Sequence, residues 1–259
     1  MKKSNDKVIA FYEKSHRYKN LTTKEYYTSV TSVLKNYFSE FDAETISKYV
    51  AASRVRKGEK ITPFKVRKEW KLKGQIACDK GNLIHAEMEL FALGESKGLK
   101  AVFRKESNLG IEWLHNKIRG LNKPILIPEY LTYHKDYKIA GQVDLVISHQ
   151  DESYTSNVIT IVDYKTNNSI DLKSKYSKKG TSWLTKHLPD TNHSKYVCQL
   201  NVYAYMMEQE GYKIKELLIA HLTPDGVVEY PVEYKSDWAK QLLEEQLEKK
   251  VLGQQEGKE

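Results

Sequence analysis

Gly141-Gln142-Val143-Asp144-Leu145-Val146-Ile147 and Val158-Ile159-Thr160-Ile161-Val162-Asp163-Tyr164-Lys165-Thr166 read as two adjacent strands. Leu145 to Ile147 follow the first aspartate and Val158 to Val162 precede the second, so each acid ends a strongly β-forming, largely buried run. A carboxylate at such a place is costly without a partner. Side chains alternate along a strand, so Asp163 and Lys165 share a face and Tyr164 takes the other. A hairpin closed by the loop from His149 to Asn157 sets Asp144 beside that pair. Two carboxylates with open oxygens suit Mg²⁺, which keeps several waters and binds through one or two carboxylates plus a phosphate. Lys165 adds positive charge where a phosphoryl transition state builds up negative charge. The alternative is an ordinary hairpin with a solvated ion pair. The tripeptide does not decide between them, because Asp136-Tyr137-Lys138 and Asp171-Leu172-Lys173 repeat its spacing.

A chain of 259 residues buries a sizeable core, and we expect one domain: a mainly helical part over 1–120, a sheet core over 121–235, and a closing helix and tail over 236–259. The fold class expected is α/β (α+β), a central mixed sheet flanked by helices. Basic residues outnumber acidic ones by 42 to 34 and there are 18 tyrosines, a balance that suits a polyanionic, nucleic-acid partner. Cys78 and Cys198 are too few for a disulfide framework, a four-cysteine zinc site or a cysteine-ligated iron–sulfur cluster. No apolar run is long enough to span a bilayer, and Met1 to Lys7 lacks the apolar segment of a signal peptide, so the expectation is an intracellular protein, neither membrane-bound nor secreted.

From the N-terminus, Val8–Tyr12 and His16–Tyr18 form a hairpin, and Tyr26–Phe38 starts extended and turns helical behind a Ser29 or Thr31 cap. Asp42 opens a helix to about Arg56. Thr62-Pro63 opens another, whose outer face carries Lys65, Arg67, Lys68, Lys71 and Lys73, either solvated or a phosphate-contacting ridge. A separate helix near Gln75–Leu93 holds Gly81 and His85; Ile84, Met88 and Phe91 share its apolar face, with His85 at the border as a packed residue or a ligand. Asn108–Arg119 is helical. Ile125–His134 is a strand whose Glu129 faces the site or lies exposed, and Ile139–Ser148 carries Asp144. Asn167–Ser194 is a long polar connection bearing Lys173, Lys175, Lys178, Lys179 and Lys186, expected to act as a mobile basic flap. Tyr196–Glu208 is a helix with Gln199 and Tyr203 one turn apart. A hairpin (Leu217–Leu222, Val227–Val232), a helix (Asp237–Lys250) and a polar tail from Leu252 close the chain.

Taken in order, Gly81-x-x-x-His85, Glu129, Gly141-x-x-Asp144, Asp163-x-Lys165 and Gln199-x-x-x-Tyr203 fall on helix, strand, strand, strand and helix. Over roughly residues 27–232 this series resembles the PD-(D/E)xK nuclease superfamily, in particular the exonuclease branch that includes the RecB nuclease domain. With Ser29-Val-Thr-Ser-Val-Leu34 added, it is similar to the mitochondrial genome-maintenance exonuclease and its phage and viral relatives. The resemblance implies a restriction-endonuclease-like core with a helical N-terminal region. It implies hydrolysis of single-stranded DNA, or of DNA ends, with Mg²⁺ or Mn²⁺, in DNA repair, recombination or replication. It further implies that Asp144 and Asp163 hold metal with the Tyr164 carbonyl, that His85 is a ligand or near-ligand, that Lys165 is catalytic, and that Gln199 and Tyr203 support the site; Glu129 carries over less directly. Iron–sulfur members of the branch use four cysteines that this chain lacks. No Gly-x-x-x-x-Gly-Lys-Ser/Thr loop occurs, so a helicase partner would act in trans. Rival readings are a flap or branched-DNA endonuclease on the same fold and a nucleic-acid-binding module without catalysis.

Overall fold

A computed structural model describes residues 8–15, 17–97, 100–150 and 157–256. Its elements are β1 (Ile9–Tyr12), β2 (Arg17–Asn20), β3 (Tyr26–Ser29), α1 (Val30–Leu34), α2 (Ala43–Arg56), α3 (Pro63–Ala92), α4 (Lys105–Ile118), β4 (Ile125–His134), β5 (Ile139–Gln150), β6 (Asn157–Lys165), α5 (Asn192–Gln209), β7 (Lys213–Thr223), β8 (Gly226–Val232) and α6 (Ser236–Glu256). Four helices start where a side-chain oxygen takes up an otherwise orphaned amide: Ser29 accepts from Ser32 N (3.1 Å), Asp42 from Thr45 N (2.9 Å), Thr62 from Lys65 N (3.3 Å) and Thr191 from Ser194 N (3.2 Å).

The strands form one mixed sheet of the α/β class, ordered β1-β2-β3-β5-β6-β7-β8, with β4 on the other edge of β5. β5 pairs antiparallel with β4 and β6, while β6 and β7 run parallel because α5 carries the chain across between them. β3 adds a short parallel pairing, Thr28 opposite Ile139 and Ser29 opposite Ala140, which ties the N-terminal hairpin to the main sheet.

Alternation along the central strands feeds two cores. Leu145, Ile147, Val162, Tyr164 and Leu218 pack under α3 and α4 with Ile84, Met88 and Leu114. Val146, Ile159, Ile161 and Ile219 pack under α5, α1 and α6 with Leu200, Val33 and Leu242. Each such aliphatic side chain contributes about 1.5–3 kcal/mol by leaving water. α5 is buried along most of its length, so its polar residues Asn201 and Gln199 work inside the protein.

Three expectations need correcting. The two helices anticipated over 63–93 are one, α3, which runs through Gly74. Gly74 touches nothing that a side chain would strike, and residues 71–80 are exposed, so a single glycine only weakens the helix there. The last helix reaches Glu256 where a tail was expected from Leu252. The connection after β6 is not a free flap. Thr181 N donates to Tyr37 O (2.9 Å), Trp238 Nε1 donates to Leu184 O (2.9 Å), and Leu184 and Thr185 are buried. Its lysines Lys173, Lys175, Lys178, Lys179 and Lys186 nonetheless stand out into solvent. His16 and the interior of the loop expected between His149 and Asn157 lie outside the described residues. Among the described residues no helix is long and apolar enough to cross a membrane.

Candidate metal centre

The β5–β6 ladder runs from Gln150 opposite Asn157 to Leu145 opposite Val162, so the next residues outward, Asp144 and Asp163, face each other where it ends. On the other edge of β5, Pro128 opposes Leu145 and Tyr130 opposes Val143, which sets Glu129 across from Asp144. Three carboxylates therefore stand abreast on three neighbouring strands. Glu129 has φ of 51°, a left-handed conformation inside a strand. Such a residue costs on the order of 1–3 kcal/mol and persists where its surroundings fix it. Here it accompanies a carboxylate turned towards the site: one ligand atom each from His85, Glu129 and Asp144 lies within 4.8 Å of the others.

His85 arrives from α3, its Nδ1 3.5 Å from Asp144 Oδ1 and its ring edge-on to Tyr164 with centroids 5.9 Å apart. Gly81, one turn earlier, lets α3 come this close, since a Cβ there would meet Thr166 Oγ1 at 2.9 Å. Asp144 Oδ2 accepts from Tyr164 N at 2.7 Å, which fixes that carboxylate. The Tyr164 hydroxyl, on the other side of the strand, is buried without a hydrogen-bond partner.

Asp163 is nearly sealed, at 3% exposure, with Lys165 Nζ 2.5 Å from its Oδ2. Lys165 is the group paired with that oxygen, which is otherwise buried without a hydrogen-bond partner among the described residues. Gln199 Nε2 donates to Tyr203 Oη at 3.1 Å and reaches Asp163 Oδ1 at 3.5 Å. Tyr203 fits only because residue 141 is glycine: a Cβ there would fall 2.3 Å from Tyr203 Cε1. Both expected glycines thus serve close approach beside the site.

Burial pushes the Asp163 carboxyl up to about 6, against the pull of Lys165 and with the Asp144 charge reinforcing it. Burial also works against the Asp144 charge, but His85, Lys165 and the Tyr164 amide together hold that carboxyl below its usual range. His85 is raised because the Asp144 carboxylate outweighs the effect of burial. For Lys165, burial is outweighed by Asp163 and Asp144, so it stays a cation.

The sequence-derived residues His85, Glu129, Asp144, Asp163, Tyr164, Lys165, Gln199 and Tyr203 thus converge. The tight cluster is His85, Glu129 and Asp144, while Asp163 is turned to Lys165 and Gln199. Sequence reasoning missed Tyr196, whose ring lies under Lys165 Nζ at 4.5 Å and whose hydroxyl donates to Asn167 Oδ1 at 2.9 Å. The signal was available: Tyr196, Gln199 and Tyr203 make one helix stripe at i, i+3, i+7. It also missed Tyr18 of β2, whose hydroxyl is raised by burial and by the nearby Glu129 and Asp144 charges.

Neither a protein-family model nor a curated protein matches the chain. A solved structure described as "Crystal structure of SSO0001" is similar over 64% of this chain and 73% of that one, with 14% identity and a TM-score of 0.28. A likeness at that level carries no argument about function.

Proposed function

We propose that this chain is a divalent-cation-dependent nuclease of the PD-(D/E)xK type that hydrolyses phosphodiester bonds, with an unpaired DNA strand or a DNA end as its substrate. The observation that carries the reading is the row of Glu129, Asp144 and Asp163 across β4, β5 and β6, with His85 above it and Lys165 beside it. The donor set suits a hard cation such as Mg²⁺, with Mn²⁺ able to replace it: carboxylate oxygens, one imidazole, and a buried Asp163 oxygen whose partner is the Lys165 ammonium. His85, Glu129 and Asp144 would hold the ion, with Asp163 next to it.

A cation there would polarise the phosphate and lower the pKa of an attacking water. The chain's own residues do the rest. The Tyr164 amide and His85 hold Asp144 in one orientation. Lys165 stays protonated between two carboxylates and faces the phosphate as a fixed positive charge, which orients the water and stabilises the oxygens that gain charge as the new P–O bond forms and the ester P–O bond breaks. Gln199 and the Tyr203 hydroxyl steady Asp163 from α5.

The test is digestion of end-labelled single- and double-stranded oligonucleotides with Mg²⁺, comparing the wild type with Asp144→Asn, Asp163→Ala and Lys165→Ala. Each variant is expected to keep its circular dichroism spectrum and to lose at least a hundredfold in rate. Full activity in any folded variant, or no metal-dependent cleavage by the wild type, overturns the reading. A closed single-stranded circle separates exonuclease from endonuclease, because only the latter degrades it.

A further inference from the structure

A cavity of about 490 Å³ opens beside the metal centre, with Tyr196 and Gln199 in its wall. These two residues also touch the site, Tyr196 under Lys165 and Gln199 at Asp163, so the cavity and the centre share a partition one side chain thick. Its apolar walls come from α1 and the segment leading to α2, namely Leu34, Phe38 and Phe41, and Lys35 and Lys195 also line it. Nothing in the hydrolytic reading uses Phe38, Phe41 or either of these lysines.

The chemistry of this lining is specific. Phe41 is 65% exposed and is backed edge-on by Trp70 on α3, with ring centroids 5.7 Å apart. An aromatic side chain braced by another ring and left open to solvent offers its free face for stacking. Lys195 Nζ lies over the Phe38 ring at 5.3 Å and pairs with Asp190 at 2.9 Å, so its charge is held at a fixed point. Ser39 and Glu40 supply a hydroxyl and a carboxylate within the same lining. An open aromatic face, a few polar groups and cations match a nucleotide: Phe41 takes the base, the polar groups its edge, and the lysines the flanking phosphates. A base engaged in a duplex has both faces stacked and its pairing edge occupied, so only an unpaired one enters.

We infer that this cavity is a nucleobase subsite, which seats the unpaired base of a nucleotide adjoining the phosphate at the metal centre. The inference rests on the nuclease reading for the phosphate's position, but the subsite binds with or without turnover. It makes Phe41 a determinant of strand choice and not a catalytic residue.

The experiment uses the full chain in EDTA and single-stranded oligonucleotides that carry 2-aminopurine at successive positions. One position is expected to be quenched by stacking. Phe41→Ala should abolish that quench and weaken binding about five- to one-hundredfold, and Phe41→Tyr should restore both. An oligonucleotide abasic at that position should bind the wild type as weakly as the intact strand binds Phe41→Ala. Equal quenching at every position, or unchanged binding by Phe41→Ala, overturns the subsite. Digestion of the same strands in Mg²⁺ separates the two claims. Cleavage without a position-specific quench rejects the subsite and keeps the nuclease. A specific quench without cleavage does the reverse.

Discussion

At Gly141 a single missing methyl group decides whether Tyr203 can reach the site. A Cβ would sit 2.3 Å from the Tyr203 ring, far inside contact distance, and the ring is itself buried and cannot swing away freely. Gly141→Ala is therefore expected to lower stability by about 1–3 kcal/mol in urea titration, as overpacked cores do, and to lose the proposed nuclease activity because Gln199 loses its Tyr203 partner. Wild-type stability in that variant would show that α5 shifts without strain. Asp163 sets a pH window. Its folded-state value of about 6 lies above the ordinary carboxylate value, so the folded, metal-free chain keeps a proton that the unfolded chain has released. The sign is that metal-free stability from this group falls as pH rises from about 4 through about 6. Cation binding needs the carboxylate, and neutral His85, so it gains over the same rise. The Mg²⁺-induced shift in melting temperature should therefore grow from pH 5 to pH 7.5, and Asp163→Asn should shrink both trends. A shift independent of pH would count against Asp163 lying next to the ion.

Among the elements, α3 shows where local pattern stops being informative. Its segment 71–80 is exposed all round and makes neither a buried face nor a break, so the sequence read as two helices, the second starting near Gln75. Since nothing surrounds Gly74, Gly74→Ala tests only helix propensity; it should raise stability by about 0.5–1 kcal/mol with activity unchanged. A loss of stability would mean that α3 needs its flexibility. The strands were more legible. β4 and β5 began where β-branched and aromatic runs met Pro124 and Lys138, and the caps Asp42 and Thr62 fixed two helix starts. The β3–β5 pairing was not legible, because two residue pairs far apart in sequence leave no periodic trace. Glu129 was legible as a candidate only: its orientation depends on a left-handed φ that alternation along β4 does not forecast. Tyr196 and the Phe38–Phe41 wall escaped because aromatic residues at helical spacing look the same whether they finish a core or line a cavity.

On the scale of the whole molecule, the charge excess could be counted in the sequence, but not where it would gather. A second cavity, about 320 Å³, adjoins the first through Phe41, Ser39, Glu40 and Lys195, and its wall adds Lys173, Lys175, Lys178 and the exposed Tyr176. The open part of the post-β6 connection thus carries its lysines next to the aromatic cavity, while its later part is pinned to the core through Tyr37 and Trp238. The layout sets three exposed lysines next to the aromatic cavity, among the carboxylates of Glu40, Asp171 and Asp190, and a strand whose base sits at Phe41 would lay its following phosphates on Lys173, Lys175 and Lys178. Each phosphate neutralised on a single strand contributes about −0.7 to the slope of log Kobs against log salt. Replacing Lys173, Lys175 and Lys178 together by alanine should therefore make that slope shallower by about 2 units, with the 2-aminopurine quench kept. Fluorescence anisotropy of a labelled oligonucleotide over a salt series reads the slope directly. An unchanged slope would place the phosphates elsewhere, and α3, with exposed Lys65, Lys68, Lys71 and Lys73, would be the next surface to neutralise.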